Sequence, residues 1–183
     1  MKLTALGSGD EPGRHELLDV YLNDHLAGAT AGAEFIRRMV GEHRESAFAG
    51  ELKTLAREIS DDRQHLLRLM ADLDMAVSHH KVYGAWLGEK IGRVKPNGRL
   101  LRRTGLTMVI ELETMRLGVQ GKVLLWRTLL SASAHEPRLE SDQLERLLRR
   151  AEDQVRTLDS LHARATATLL SATPPKMAAG AAS

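Results

Sequence analysis

A chain of 183 residues, 43% apolar and 27% charged, has material for one full globular core and not for two. It contains no cysteine, which excludes disulfide frameworks, thiolate metal sites and cysteine nucleophiles, and a net charge of +2 is too small to announce a nucleic-acid partner by itself. Aromatic residues make up 3%, so the core must be built mainly from Leu, Ala, Val and Met, a palette that suits helices.

The segment 1–13 carries a Gly, Asp and Pro-containing stretch without the apolar core of a secretory signal, and reads as a flexible lead-in. No apolar run approaches the about 18 residues of a membrane span, so a cytosolic protein is expected. From Arg14 to about His43, Leu18, Leu22, His25, Ala29, Gly32, Ile36 and Met39 recur at alternating spacings of four and three, the stripe of a bundle helix. A second helix is expected from about Glu45 to Leu73, with Phe48, Leu52, Leu55, Ile59, Leu66, Met70 and Leu73 on one face. The connection around Arg44 is short, which makes these two an antiparallel hairpin.

A shorter helix is expected from about His79 to Val94, with Val82, Tyr83, Trp86, Leu87 and Ile91 as its apolar positions, stopped by Pro96-Asn97-Gly98. The third long helix, about Thr104 to Ser133, is apolar over a wide arc. One stripe holds Met108, Leu112, Met115, Val119, Trp126 and Leu130, and another holds Leu106, Ile110, Leu117 and Leu124, so this helix is expected to be the most buried. After Glu136-Pro137 the last helix, about Leu139 to Leu170, presents Leu144, Leu147, Leu148, Ala151, Val155, Leu158, Ala165 and Leu169. The tail 171–183, rich in Ala, Gly and Pro, is expected to be disordered. Residues 14–170 therefore read as one all-α domain, a four-helix bundle with an additional short helix between its second and third long helices. No strand pattern competes, and no Gly-rich phosphate loop is present.

The informative residues are the polar ones that periodicity turns inward. These are His25 near the centre of the first stripe with Asp24 at its edge, Arg63 inside the second stripe with Asp62 at its margin and His65 on its flank, Glu113, Arg116, Gln120 and Arg127 within the wide arc of the third long helix, and His162 central on the last with Asp159 beside it. Counting outward from Arg44 brings Asp24 and His25 level with Asp62, Arg63 and His65. The same count from Glu136 brings Asp159 level with Glu113, and His162 level with Ile110. Buried charges cost several kcal/mol unless paired, so two internal clusters are expected, either as ion pairs that fix register or as a metal or ligand site. The glycines inside helices, Gly28, Gly32, Gly118 and Gly121, each cost about 1 kcal/mol and imply close helix approach or room for a ligand.

From Lys81 to Arg103 the connector holds Lys81, Lys90, Arg93, Lys95, Arg99, Arg102 and Arg103 against the single acid Glu89. Its bland reading is a solvated crossover segment; its functional reading is an anion-binding site for nucleic acid or another anionic partner.

Two long hairpin helices, a connection of about thirty residues and two more long helices resemble the ferritin-like superfamily, including its rubrerythrin and stress-protein relatives, over Arg14 to Leu170. That family builds a di-iron centre from a Glu on each of two helices and Glu-x-x-His on each of the other two. Here Asp62-Arg-Gln-His65 and Asp159-Ser-Leu-His162 stand where the paired motifs would fall, with Glu111 or Glu113 on the third long helix. The resemblance implies candidate ligands Asp62, His65, Glu113, Asp159 and His162 for iron or manganese. Both motifs carry Asp in place of Glu and the first helix has no inward-facing Glu, so it implies a degenerate or metal-free member. It also implies a third long helix parallel to the second, which would put the His25/Arg63 and Glu113/His162 clusters near opposite ends. The expected function is that of a structural or stress-related interaction protein with no established catalysis, with a homodimer as its candidate assembly. The alternatives are a carboxylate-histidine di-metal protein and an anion-binding module using the connector.

Overall fold

The computed structural model describes residues 13–78 and 105–171, and all regular structure among them is helical. The four helices are α1 (Arg14–Glu42), α2 (Ala49–Asp72), α3 (Leu106–Ala132) and α4 (Ser141–Ser171). The short helix expected over 79–94, the basic connector, the lead-in up to residue 12 and the tail after Ser171 lie outside the described residues. Among the described residues no helix is long and apolar enough to cross a membrane.

The four long helices lie within a few residues of their expected bounds, with one instructive difference. The link between α1 and α2 runs from His43 to Phe48 rather than pivoting at Arg44. Ser46 delays the second helix: its Oγ donates to the His43 carbonyl (2.8 Å) and accepts from the Phe48 N–H (3.3 Å), local bonds that compete with the helical ladder. The extra residues shift the register, so that Arg63 Nε donates to Thr30 Oγ1 (2.9 Å) instead of lying level with His25. At its other end α2 closes through Asp74 in the left-handed region (φ 56), with the Met75 N–H donating to the Met70 carbonyl (2.9 Å). Asn23 of α1 ties this end down, its Nδ2 donating to the Ala76 carbonyl and its Oδ1 accepting from the Ser78 N–H.

The turn joining α3 to α4 is locked by Arg138, which donates from Nε and Nη2 to the two Glu136 carboxylate oxygens at 2.9 and 3.0 Å. Those bonds push the Glu136 carboxyl down to about 2. Arg138 also reaches Asp74 Oδ2 (3.2 Å), pinning this turn against the end of α2.

Two apolar clusters stack along the helices, and each takes residues from all four. The first joins Leu22 and Leu26 of α1, Leu66 and Met70 of α2, Val123, Trp126 and Leu129 of α3, and Leu144 and Leu147 of α4. The second joins Ile36 and Met39, Leu52, Leu55 and Ile59, Met108, Leu112 and Met115, and Leu158 and Leu161. Each fully buried Leu, Ile or Met contributes about 1.5–3 kcal/mol, so these clusters dominate the folding energy. Their membership fixes direction: α1 and α4 run one way, α2 and α3 the other. A parallel α2/α3 pair is a crossover arrangement, since α2 finishes at one end of the molecule and α3 starts at the other.

One expectation about α3 is corrected. Its second apolar stripe is buried only in part: Leu106 and Ile110 are half-buried, while Leu117 is 69% and Leu124 54% exposed. Helix α3 packs against α1 on one side and α4 on the other, and the outer third of its circumference is left uncovered among the described residues. An arc that is apolar all round carries no phase signal to say which stripe faces inward.

Candidate functional site

Between the two apolar clusters lies a layer of charge. Asp62 is only 2% exposed, and its two oxygens accept from three donors: Lys122 Nζ and Gln154 Nε2 (3.1 Å) at Oδ2, and Arg150 Nη2 at Oδ1. Lys122 also donates to Gln154 Oε1 (2.5 Å), and Gln154 Nε2 donates to Glu58 Oε2 (3.1 Å). Two cations and two carboxylates meet there, so the layer is balanced, which is the condition for burying it. Burial pushes the Lys122 ammonium below its usual range, while Asp62 pulls the other way.

The sequence contains a signal for this layer that periodicity alone leaves ambiguous. Asp62 falls between Ile59 and Leu66, Lys122 between Val119 and Trp126, and Gln154 between Ala151 and Leu158, each at a spacing of three then four. In every case the neighbouring residue, Arg63, Val123 or Val155, fills the same gap at four then three. Arg63 was expected inside with Asp62 at its margin; the structure reverses them. Lys122, Arg150, Gln154 and Glu58 were not singled out from the sequence.

The residues of the expected clusters are distributed differently. His25 stacks edge-on against Tyr21, with ring centroids 4.5 Å apart, and Asp24 is exposed beside it. His65 Nδ1 bonds the carbonyl of Asp61 in its own helix (2.7 Å). Glu113 and His162 do meet, at 3.0 Å, and one turn further along Arg116 donates to Asp159 at 2.5 Å, but both pairs sit on the exposed α3/α4 rim. The α3/α4 turn shifts this register by about three residues, which brings His162 rather than Asp159 to Glu113. Arg127 continues the rim by pairing with Glu152 at 2.6 Å, and Gln120 is half-buried. The candidate anion-binding residues Lys81, Lys90, Arg93, Lys95, Arg99, Arg102 and Arg103 lie outside the described residues.

This arrangement does not fit a di-metal centre of the ferritin-like kind. Asp62, His65, Glu113, Asp159 and His162 do not converge, and the oxygens of Asp62 are taken by an ammonium, a guanidinium and an amide. Where a metal would supply positive charge to the middle of the helices, Lys122 and Arg150 already supply it.

Burial lowers the His25 pKa from 6.5, with Asp24 opposing. The unfolded chain therefore binds the extra proton first as pH falls below 6.5, and stability drops until the pH passes the folded value. A His25→Gln variant is expected to show a shallower loss of thermal stability than the parent as the pH is lowered below 6.5. Parallel pH curves for the two proteins would show that His25 does not carry the effect.

A second feature is the α1/α3 face. Gly28, Gly118 and Gly121 sit inside helices, yet a Cβ added at any of them would meet nothing within 4 Å. Gly32 differs only in that a Cβ there would lie 3.7 Å from Met115 Cε, an ordinary van der Waals contact, so internal packing does not demand a glycine at that position either. Tyr21 Oη donating to Thr128 Oγ1 and Gly32 lying beside Met115 fix the antiparallel register of α1 and α3, which sets Gly28 level with the glycines of α3. Around them Leu17, Val20, Leu117 and Leu124 are exposed, four of the six large apolar side chains that are so among the described residues.

No family model, curated protein or solved structure matches the chain. Its fold class is all-α, and functional inference rests on these sites.

Proposed function

We propose that this chain is a ferritin-like four-helix bundle without a di-metal centre in its core that acts as an interaction protein, pairing with a second copy of itself through the α1/α3 face. The crossover arrangement, with α2 parallel to α3, supports the ferritin-like reading. The ion layer around Asp62 supports the absence of a di-metal centre there, because its cations are built into the chain. The observation that carries the interaction is the uncovered outer face of α3.

That face is self-complementary. In an isologous pair with its two-fold axis between Gln120 and Gly121, residues equally far from the axis meet. Leu117 comes level with Leu124 of the second copy, and Glu113 falls within one residue of Arg127, opposite in sign. Gly118 and Gly121 flank the axis, where absent side chains let two helix backbones approach. Glycines that cost about 1 kcal/mol each in a helix, and that no described residue of their own chain fills, are accounted for by such an approach.

Sedimentation of the full chain at micromolar concentrations is expected to show a dimer. Leu117→Glu combined with Leu124→Glu is expected to give a monomer with unchanged helicity, because both side chains already face water in the single chain. A monomeric parent protein, or a dimer indifferent to the double substitution, would refute the pairing.

A further inference from the structure

At the opposite end of the molecule from the Arg138 turn, α1 stops and α3 begins beside it. His43 is the C-cap of α1, its backbone held by an N–H bond to the Met39 carbonyl (2.9 Å). Its ring Nε2 lies 2.6 Å from Glu111 Oε2, on the second turn of α3. Glu42, the last residue of α1, brings a second carboxylate, and the three donor atoms lie within 4.8 Å of one another.

We propose that Glu42, His43 and Glu111 bind one divalent transition-metal ion. The donor set is one imidazole nitrogen and two carboxylate oxygens, which suits Zn²⁺, Mn²⁺ or Fe²⁺ and leaves positions for water. Bonds of about 2.0–2.2 Å in a tetrahedral shell place donors about 3.3–3.6 Å apart, so the widest separation must close by up to about 1.5 Å, an adjustment open to the exposed Glu42 side chain. Position adds to composition. Glu111 is 9% exposed and sits between the buried Val109 and Leu112, so its carboxylate has lost most of its water. A metal cation there gives the Glu111 carboxylate the counter-charge that burial demands. The carbonyls ending α1 contribute further negative potential at the same point. Glu42 is exposed, which provides the ion with a path in from solvent.

The site is separate from the Asp62 layer and from the proposed pairing face, and stands or falls without either. Titration calorimetry of the full chain with Zn²⁺, and separately with Mn²⁺, is expected to show saturable binding of about one ion per chain, with a rise in Tm. His43→Ala is expected to abolish both. Glu42→Gln, at an exposed position where folding is not at stake, is expected to weaken binding about tenfold or more. Absence of saturable binding by the parent overturns the proposal. So does binding that survives both substitutions, which would be an adventitious ion only, held by other histidines, with His43 and Glu111 then a simple ion pair.

Discussion

Replacing Asp62 with Ala is expected to destabilise the protein by about 3–5 kcal/mol, the range for removing one partner of a buried ion pair. The substitution deletes the acceptor that Lys122, Arg150 and Gln154 share, and leaves two cations facing each other between apolar clusters. In urea this appears as a large fall in the midpoint with little change in slope. Lys122→Met is expected to cost much less, because Asp62 keeps Arg150 and Gln154 as donors and the methionine is apolar. It should also remove a pH effect. Since the folded-state pKa of Lys122 lies below 10.5, the unfolded chain binds more protons between those two values. Stability gained on raising the pH through that window should therefore be smaller in Lys122→Met. A loss below about 1 kcal/mol in Asp62→Ala would mean that water, not the described partners, solvates the layer.

Trp126→Ala is expected to cost about 3–5 kcal/mol, the range for emptying a large aromatic site in a core. Trp126 is 1% exposed and belongs to the cluster that joins all four helices at the Arg138 end, so the cavity has no single neighbour able to collapse into it. Trp126→Phe separates size from polarity. The indole Nε1–H is buried without a hydrogen-bond partner among the described residues, so removing it relieves a desolvated donor while losing some volume. Denaturation midpoints should rank the parent and Trp126→Phe close together and Trp126→Ala far below. If Trp126→Ala melted near the parent, the packing of the first cluster described above would be wrong.

The two proposals invite different measurements. The pairing face at the middle of α3 calls for hydrodynamics and the Glu42, His43 and Glu111 group at the end of α1 for metal titration. Neither readout depends on the other, and neither requires a substrate to be known. The ion layer is a folding element in this reading, with specificity of register as its contribution.

How much of this was legible beforehand varies residue by residue. The four helices follow from spacings of three and four, because burying one face is what makes a long amphipathic helix stable in water. Leu22, Leu52, Leu112 and Leu158 were placed correctly for that reason. The sequence alone also ruled out cysteine chemistry. It could not choose between Asp62 and Arg63, which fill the same gap in one stripe, nor tell that Lys122 reaches inward beside the buried Val123. Those choices were made by what the facing helices present: Gln154 and Arg150 are donors that an aspartate satisfies and an arginine does not. Register was beyond it as well, since Ser46 lengthens one turn through bonds to its own neighbours, and every cross-helix pair then moves along. The uncovered stripe of α3 and the meeting of Glu111 with His43 belong to tertiary structure in the same sense. Periodicity describes a helix against an average interior, while the number and direction of the helices around it decide which of its faces finds one.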